Sequence, residues 1–115
     1  MRHVVEKPED RKPLTEPVLL ILLSLAGKPR HGYALMKDIQ SLSEGRVMLS
    51  TGTLYGALKR LLDDGWIERF EQKDTARDKQ AYRLTSAGRV QLEQELERMK
   101  QLTRAATARL RVKEA

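Results

Sequence analysis

The chain has 115 residues, which is enough for one domain with a single core. It contains no cysteine, and this excludes disulfide bonds, thiolate metal sites and thiol nucleophiles. The net charge of +6 and the sequence pI near 9.8 suit a nucleic-acid partner, although charge alone is weak evidence for one. The longest apolar run, Val18 to Ala26, is too short to span a bilayer, and no signal-peptide pattern precedes it. We therefore expect a cytoplasmic protein without a membrane partner.

The first segments are a tail and an apolar helix. Residues 1–16 are rich in charge and proline, and we interpret them as a flexible tail that is ordered only at its end. Thr15 and Pro17 suit the cap and the first position of a helix that continues to Ala26. That helix is apolar on every side, which in so small a chain indicates burial against a second subunit as well. Its predicted interface residues are Leu19, Leu22 and Leu23.

Two more helices and a hairpin follow. A second helix is predicted over Tyr33 to Leu42, with Tyr33 on its core side, and Val47 to Leu49 is read as a short extended run. Ser50 caps a third helix that ends before Gly65. Trp66 to Glu71 and Ala81 to Leu84 are then extended, and the polar loop between them predicts a β-hairpin with a long tip.

The third helix has two contrasting faces. Leu54, Leu58, Leu61 and Leu62 form the stripe of a helix packed on a core. The opposite side carries two glycines, each costing about 1 kcal/mol relative to alanine, which indicates that something bulky approaches the backbone. Hydroxyls, a tyrosine and two cations beside those glycines are what a helix in a DNA groove needs. The predicted DNA-binding residues of this helix are Ser50, Thr51, Gly52, Thr53, Tyr55, Gly56, Lys59 and Arg60.

Further DNA contacts are expected outside this helix, and plainer explanations stay open. Lys37 on the second helix is expected to touch the DNA backbone, and Lys73, Arg77 and Lys79 at the hairpin tip to reach the minor groove. The tip cations could equally belong to a solvated turn, because Asp74 and Asp78 nearly cancel their charge. Hydroxyls at a helix start often serve only as caps, and exposed cations often only keep a protein soluble.

The last helix is predicted to begin at Thr85 or Ser86 and to end near Arg111. Its apolar positions follow the spacing of a heptad seam. At about 1.5 Å per residue it is roughly 35–40 Å long, more than this small domain can cover, so it requires a partner. The predicted dimer residues on it are Leu92, Leu96, Met99, Thr103, Ala106 and Leu110.

This order of elements predicts the fold. Helix–turn–helix, then a hairpin, then a seam helix is the arrangement of a dimeric winged helix, in the mainly α (α+β) class. We expect a winged helix-turn-helix DNA-binding domain over 17–84 and a C-terminal dimerisation helix over 85–115.

The sequence also resembles the PadR-type transcriptional regulators over roughly Val18 to Leu110. The matching stretches are Leu22-Leu23-Ser24-Leu25, His31-Gly32-Tyr33-Ala34-Leu35, Ile39, Ser50-Thr51-Gly52-Thr53-Leu54-Tyr55, Leu58, Leu61, Gly65-Trp66-Ile67, Tyr82-Arg83-Leu84-Thr85 and Gly88. The family usually has proline after the Gly-Thr-Leu-Tyr tyrosine, where this chain has Gly56.

The resemblance implies a homodimeric winged-helix repressor that binds a palindromic operator, with C-terminal helices exchanged between subunits. It would associate with the nucleoid through DNA. Some members release DNA when a small aromatic effector binds, so such an effector is a candidate partner. Relatives that bind flat drugs stack them on a tryptophan of the terminal helix, whereas the tryptophan here is Trp66 and the terminal helix has no aromatic residue.

A protein-binding module and an enzyme are the two alternatives to a DNA-binding regulator. A winged helix can bind protein instead of DNA, and the cations of the third helix would then be dispensable. An enzyme requires a set of reactive groups, and the sequence offers two histidines in tail or turn positions, no glycine-rich phosphate loop and no clustered carboxylates. We therefore expect no catalytic residue, no metal site and no cofactor.

Overall fold

A computed structural model of the chain describes residues 13–71 and 80–112. The described elements, in chain order, are α1 (Glu16–Gly27), β1 (Arg30–His31), α2 (Gly32–Leu42), α3 (Thr51–Asp63), β2 (Ile67–Glu71), β3 (Gln80–Leu84) and α4 (Ser86–Val112). The three strands form an antiparallel sheet in the order β1-β3-β2. The predicted fold, a winged helix-turn-helix of the mainly α class, is confirmed.

The segment just before α1 is ordered, as expected for the end of the N-terminal tail. The helix begins at Glu16, and the Thr15 hydroxyl accepts a hydrogen bond from the Val18 amide at 3.3 Å. Leu14 packs against the core and donates its backbone N–H to Glu95 of α4 at 3.3 Å. Residues 13–15 are therefore part of the folded domain, while 1–12 lie outside the described residues.

The core is built from leucine and isoleucine of all four helices, together with the hairpin. Its buried members are Leu20, Ile21, Leu22, Leu25, Leu35, Ile39, Leu54, Leu58, Leu61, Ile67, Tyr82 and Leu92. Two predicted dimer residues are among them, with exposed fractions of 0% for Leu22 and 4% for Leu92. The prediction for these two is wrong, because residues buried by their own chain have no surface left for a second subunit. Leu19 and Leu23 are only partly buried.

Strand β1 was not predicted, and the extended run proposed for 47–49 is not a strand. Arg30 pairs with Tyr82, and His31 with Ala81. Arg30 also donates to the Ser24 carbonyl at 3.2 Å and lies 3.3 Å from the Asp38 carboxylate. The Ser24 hydroxyl donates to the same carboxylate at 2.6 Å. This network joins α1, β1 and the middle of α2.

A hydrogen-bonded joint connects the end of α3 to the start of α4. The Thr85 hydroxyl donates to the Gly65 carbonyl at 2.6 Å, and the Thr85 amide donates to the Trp66 carbonyl at 3.1 Å. The same hydroxyl accepts from the Gly88 amide at 3.1 Å and so caps α4. A Cβ atom on Gly88 would overlap the Trp66 carbonyl oxygen, so α4 can approach this closely only with glycine there.

Glu95 is a buried carboxylate at the junction of α4 with the N-terminal segment. Its oxygens accept from Arg98 Nη2 at 2.7 Å, from Arg98 Nε at 3.0 Å and from the Leu14 amide. The hydrogen bond from Arg98 holds the pKa of Glu95 below its ordinary value, against the opposing effect of burial.

This geometry predicts a pH-dependent contribution to stability. Since the pKa of Glu95 is lower in the folded than in the unfolded chain, its contribution is complete above the unfolded value of about 4.3. This contribution is lost as the pH falls from about 4.3 through the lower pKa that Glu95 has in the folded chain. We expect the free energy of unfolding to fall more steeply below that pH in the wild type than in Glu95→Gln.

The measurement is urea unfolding followed by circular dichroism between pH 3 and pH 7. Glu93→Gln is the matched control, because Glu93 is exposed on the same helix. Identical pH profiles for wild type and Glu95→Gln would contradict the assignment.

Candidate nucleic-acid interface

Helix α3 is packed against the core on one side only. Leu54, Leu58 and Leu61 are buried, whereas a Cβ atom added to Gly52 or Gly56 would meet nothing within 4 Å in residues 13–71 and 80–112. At 100° per residue the two glycines lie opposite the leucines. The outward face of α3 therefore has exposed backbone at its centre, as the sequence predicted.

Cations lie at the C-terminal end of this face. Lys59 is in line with the two glycines, and Arg60 lies one position round the helix; both are exposed. Lys59 forms an ion pair with Asp63 at 3.7 Å. A pair this exposed contributes little to stability, so Lys59 can exchange the carboxylate for another anion at low cost.

The start of α3 is fixed by hydroxyl groups. Ser50 accepts a hydrogen bond from the Thr53 amide at 3.1 Å and donates to the Thr53 hydroxyl at 3.0 Å. The predicted cap is confirmed, so these two hydroxyls have a structural role whether or not they contact DNA. Thr51, beside them, is exposed.

Tyr55 lies on the flank of α3 that faces α2. Its ring reaches the first residue of α2, where the hydroxyl lies against Gly32, and the side chain is still 45% exposed. The structure therefore brings together three features: the bare face of α3, the Tyr55 ring and the N-terminal end of α2.

Tyr33 is exposed, although its apolar position in the α2 pattern predicted a core residue. It is 67% exposed, and Lys37 Nζ lies 5.6 Å from the centre of its ring. Sequence reasoning missed Tyr33 as a surface residue, and the signal available was a lysine four positions later, one helical turn away. Lys37 is exposed, as expected of a DNA-backbone contact.

The base of the hairpin is well defined. Arg83 of β3 is bound to Glu68 of β2 at 2.6 Å, and its guanidinium carbon lies 4.8 Å from the centre of the Phe70 ring. The predicted tip residues Lys73, Arg77 and Lys79 lie outside the described residues. Their contact with a minor groove stays a prediction.

The described part of the chain, residues 13–71 and 80–112, offers neither a metal-binding cluster nor a membrane-spanning helix. No group of three or more histidine, cysteine, aspartate or glutamate side chains there could hold a metal ion. No helix in these ranges combines the length and the apolar character needed to cross a bilayer.

Comparison with known proteins identifies the family. The sequence profile of the PadR-like family of transcriptional regulators matches residues 20–94. The chain belongs to this family. It is also 40% identical over 85 residues to an uncharacterised 37.1 kDa protein of transposon TN4556 from Streptomyces fradiae. That match covers 74% of this chain but only 23% of the Streptomyces protein.

Solved structures of transcriptional regulators share the fold. A PadR family regulator from Clostridium difficile R20291 superimposes with a TM-score of 0.70 at 24% identity, covering 84% of this chain and 99% of its own. A regulator from Clostridium thermocellum superimposes with a TM-score of 0.66 at 25% identity, covering 79% and 89% respectively. The PadR-like chain described here therefore has the architecture found in these regulators.

Proposed function

We propose that this PadR-like chain is a sequence-specific DNA-binding regulator that acts as a homodimeric repressor on an inverted-repeat operator. The observation that carries the proposal is the outward face of α3, where Gly52 and Gly56 leave the backbone uncovered ahead of Lys59 and Arg60. A convex helix with exposed backbone and cations at one end suits the major groove, which is wide enough to admit a helix.

Each part of this interface has a proposed role. Thr53 and Tyr55 lie near bases or phosphates, while Lys59 and Arg60 contact phosphates. Thr51 and the capped N-terminus of α3 lie where backbone amides favour an anion. Lys37 approaches the DNA backbone from α2, and the hairpin tip enters the minor groove.

Binding to the DNA upstream of the chain's own gene is the direct test, measured by fluorescence anisotropy from 50 to 200 mM salt. With six to ten phosphate contacts, affinity is expected to fall by about 10³ to 10⁵ over that range. Lys59→Ala and Arg60→Ala should each reduce the slope of log K against log salt by about one. Arg104→Ala, on the distal half of α4, is the control and should keep the wild-type slope.

Two results would contradict DNA binding. One is the absence of binding at low salt, and the other is binding that does not respond to salt. Either result, with the fold intact, would favour a winged helix that binds protein.

The glycines of α3 give a prediction in which stability and affinity change in opposite directions. Gly56→Ala should raise the free energy of unfolding by about 0.5–1 kcal/mol, because alanine favours the helix and its methyl group meets nothing. It should also weaken operator binding by about ten-fold or more, since the methyl group stands where DNA would approach.

Urea unfolding and anisotropy on the same preparation measure both quantities. Gly27→Ala is the matched control, because its methyl group would make an ordinary 3.6 Å contact with Arg30, away from α3. An affinity unchanged by Gly56→Ala would show that the bare backbone is not used for DNA.

The dimer is proposed from the uncovered half of α4. Every residue from Leu96 to Arg111 is exposed, and Leu110 retains 67% of its surface. Helix α4 has 27 residues, and the part that follows Glu95 projects beyond the core, to which α4 contributes Leu92. The proposed interface consists of Leu96, Met99, Thr103, Ala106 and Leu110, with Leu19 and Leu23 of α1. Leu102, also exposed, widens this face and was missed by the heptad pattern.

Charging the seam should separate the subunits. We expect wild-type sedimentation at twice the 13.2 kDa chain mass and monomeric sedimentation of Met99→Glu/Leu110→Glu. Ala108→Glu, on the opposite face of α4, should remain dimeric. A wild type that sediments as a monomer at micromolar concentration would refute the dimer, and with it the inverted-repeat operator whose half-sites lie about 34–36 Å apart.

Release by a small aromatic effector stays a prediction. Helix α4 carries no aromatic residue, and Trp66 is half-buried against the core. Helix α4 therefore lacks the tryptophan on which some relatives stack flat drugs.

A further inference from the structure

Gly32 and Tyr55 occupy the same small space between α2 and α3. A Cβ atom on Gly32 would overlap the Tyr55 hydroxyl and would lie only 2.8 Å from Cζ and 3.4 Å from Cε1 of the ring. Real Cβ atoms do not approach other atoms so closely, so the ring could not stay where it is if residue 32 had a side chain. Gly32 is buried under this ring, whereas the next two residues, Tyr33 and Ala34, are exposed.

The backbone gives no other reason for glycine at this position. The described glycines with positive φ are Gly45 and Gly65, so Gly32 has a conformation that any residue adopts. In a helix, alanine is favoured over glycine by about 1 kcal/mol in the interior. What glycine provides at position 32 is therefore space, and Tyr55 fills that space.

The contact decides where the Tyr55 hydroxyl points. A tyrosine side chain on an open helix flank can sample several rotamers, whereas a ring seated on Gly32 is restricted to one direction. With 45% of the side chain exposed, the seated ring still borders the outward face of α3. A hydroxyl ordered before binding avoids the entropy cost of immobilising a side chain in the complex, which corresponds to roughly two- to ten-fold in affinity.

We propose that Gly32 is a positioning residue for DNA binding, which acts by seating the Tyr55 ring so that its hydroxyl meets a backbone phosphate. The inference rests on the proposed DNA-binding function. Gly32 itself does not need to touch DNA, and its effect is transmitted entirely through Tyr55.

A double-mutant cycle tests this, with operator affinity measured for wild type, Gly32→Ala, Tyr55→Ala and the double variant. In the wild-type background Gly32→Ala should weaken binding by about ten-fold, because the methyl group displaces the ring. In the Tyr55→Ala background the same change should leave affinity within two-fold, because no ring remains to displace. Gly27→Ala serves as the glycine control and should bind as the wild type does.

Tyr55→Phe separates the hydroxyl from the ring. Removing only the hydroxyl should lower affinity by about ten-fold while the melting temperature stays unchanged, since a hydrogen bond to a charged group is lost. An unchanged affinity in Tyr55→Phe would show that the hydroxyl makes no phosphate contact and would overturn the proposed role.

A measurement without DNA distinguishes the possible failures. In protein labelled with fluorotyrosine, the ¹⁹F resonance that disappears in Tyr55→Phe should shift in Gly32→Ala. If the wild type binds no DNA, the proposed function fails, whatever this resonance does. If the wild type binds and the penalty of Gly32→Ala is equal in both tyrosine backgrounds, the positioning role is overturned. If Gly32→Ala does not fold, the Gly32→Ala/Tyr55→Ala double variant decides. A double variant that folds supports the contact between the Tyr55 ring and Gly32, and a double variant that does not fold refutes the proposed role.

Discussion

Helix α3 can be packed on one face only, because its other face must stay open. The other elements of the fold are arranged to stabilise it from that one face. A helix of 13 residues is marginal by itself in water, so nearly all its stability must come from the buried stripe of Leu54, Leu58 and Leu61. These side chains require a rigid surface behind them. Helix α2 and strand β2 lie against α3, and their buried residues Ile39 and Ile67 belong to the same core cluster as the α3 leucines.

The two ends of α3 are fixed by hydrogen bonds as well as by packing. At the N-terminus Ser50 and Thr53 satisfy each other, and at the C-terminus the carbonyls of Gly65 and Trp66 are both bound by Thr85. Because Thr85 also caps α4, one residue connects the helix that faces outward to the helix that projects away. The hydrogen bonds of Thr85 therefore constrain the angle between α3 and α4.

Local signals were enough to predict most of this fold. Apolar periodicity defined the helices, and the caps at Thr15 and Ser50 lie where the sequence placed them. Strand β1 could not be predicted, since two residues carry no alternating pattern and Arg30 is held by partners distant in the chain. The predicted fold was correct because the four helices and both strands of the hairpin each had a local signal.

Burial was harder to predict than secondary structure, because periodicity identifies an apolar face without saying what covers it. Periodicity predicts Leu22 and Leu92 at a subunit interface, but both are covered by their own chain. Tyr33 was assigned to the core and lies at the surface. The proximity of Gly32 to Tyr55 has no local signal at all, since the two residues meet only through the angle between α2 and α3.

The glycines show how structural and functional requirements can be separated in this chain. Gly65 ends α3 with a φ of +78°, a conformation that disfavours any other residue. Gly88 is required for space, because a Cβ atom there would overlap the Trp66 carbonyl oxygen, and Gly32 leaves the space that the Tyr55 ring fills. Gly52 and Gly56 have neither reason: their φ values are not positive, and an added Cβ atom would meet nothing within 4 Å among the residues that the structure describes. Two glycines that weaken a marginal helix without a structural reason require an explanation outside the chain. Of the surfaces described, their face of α3 is therefore the one that most strongly indicates a bound partner.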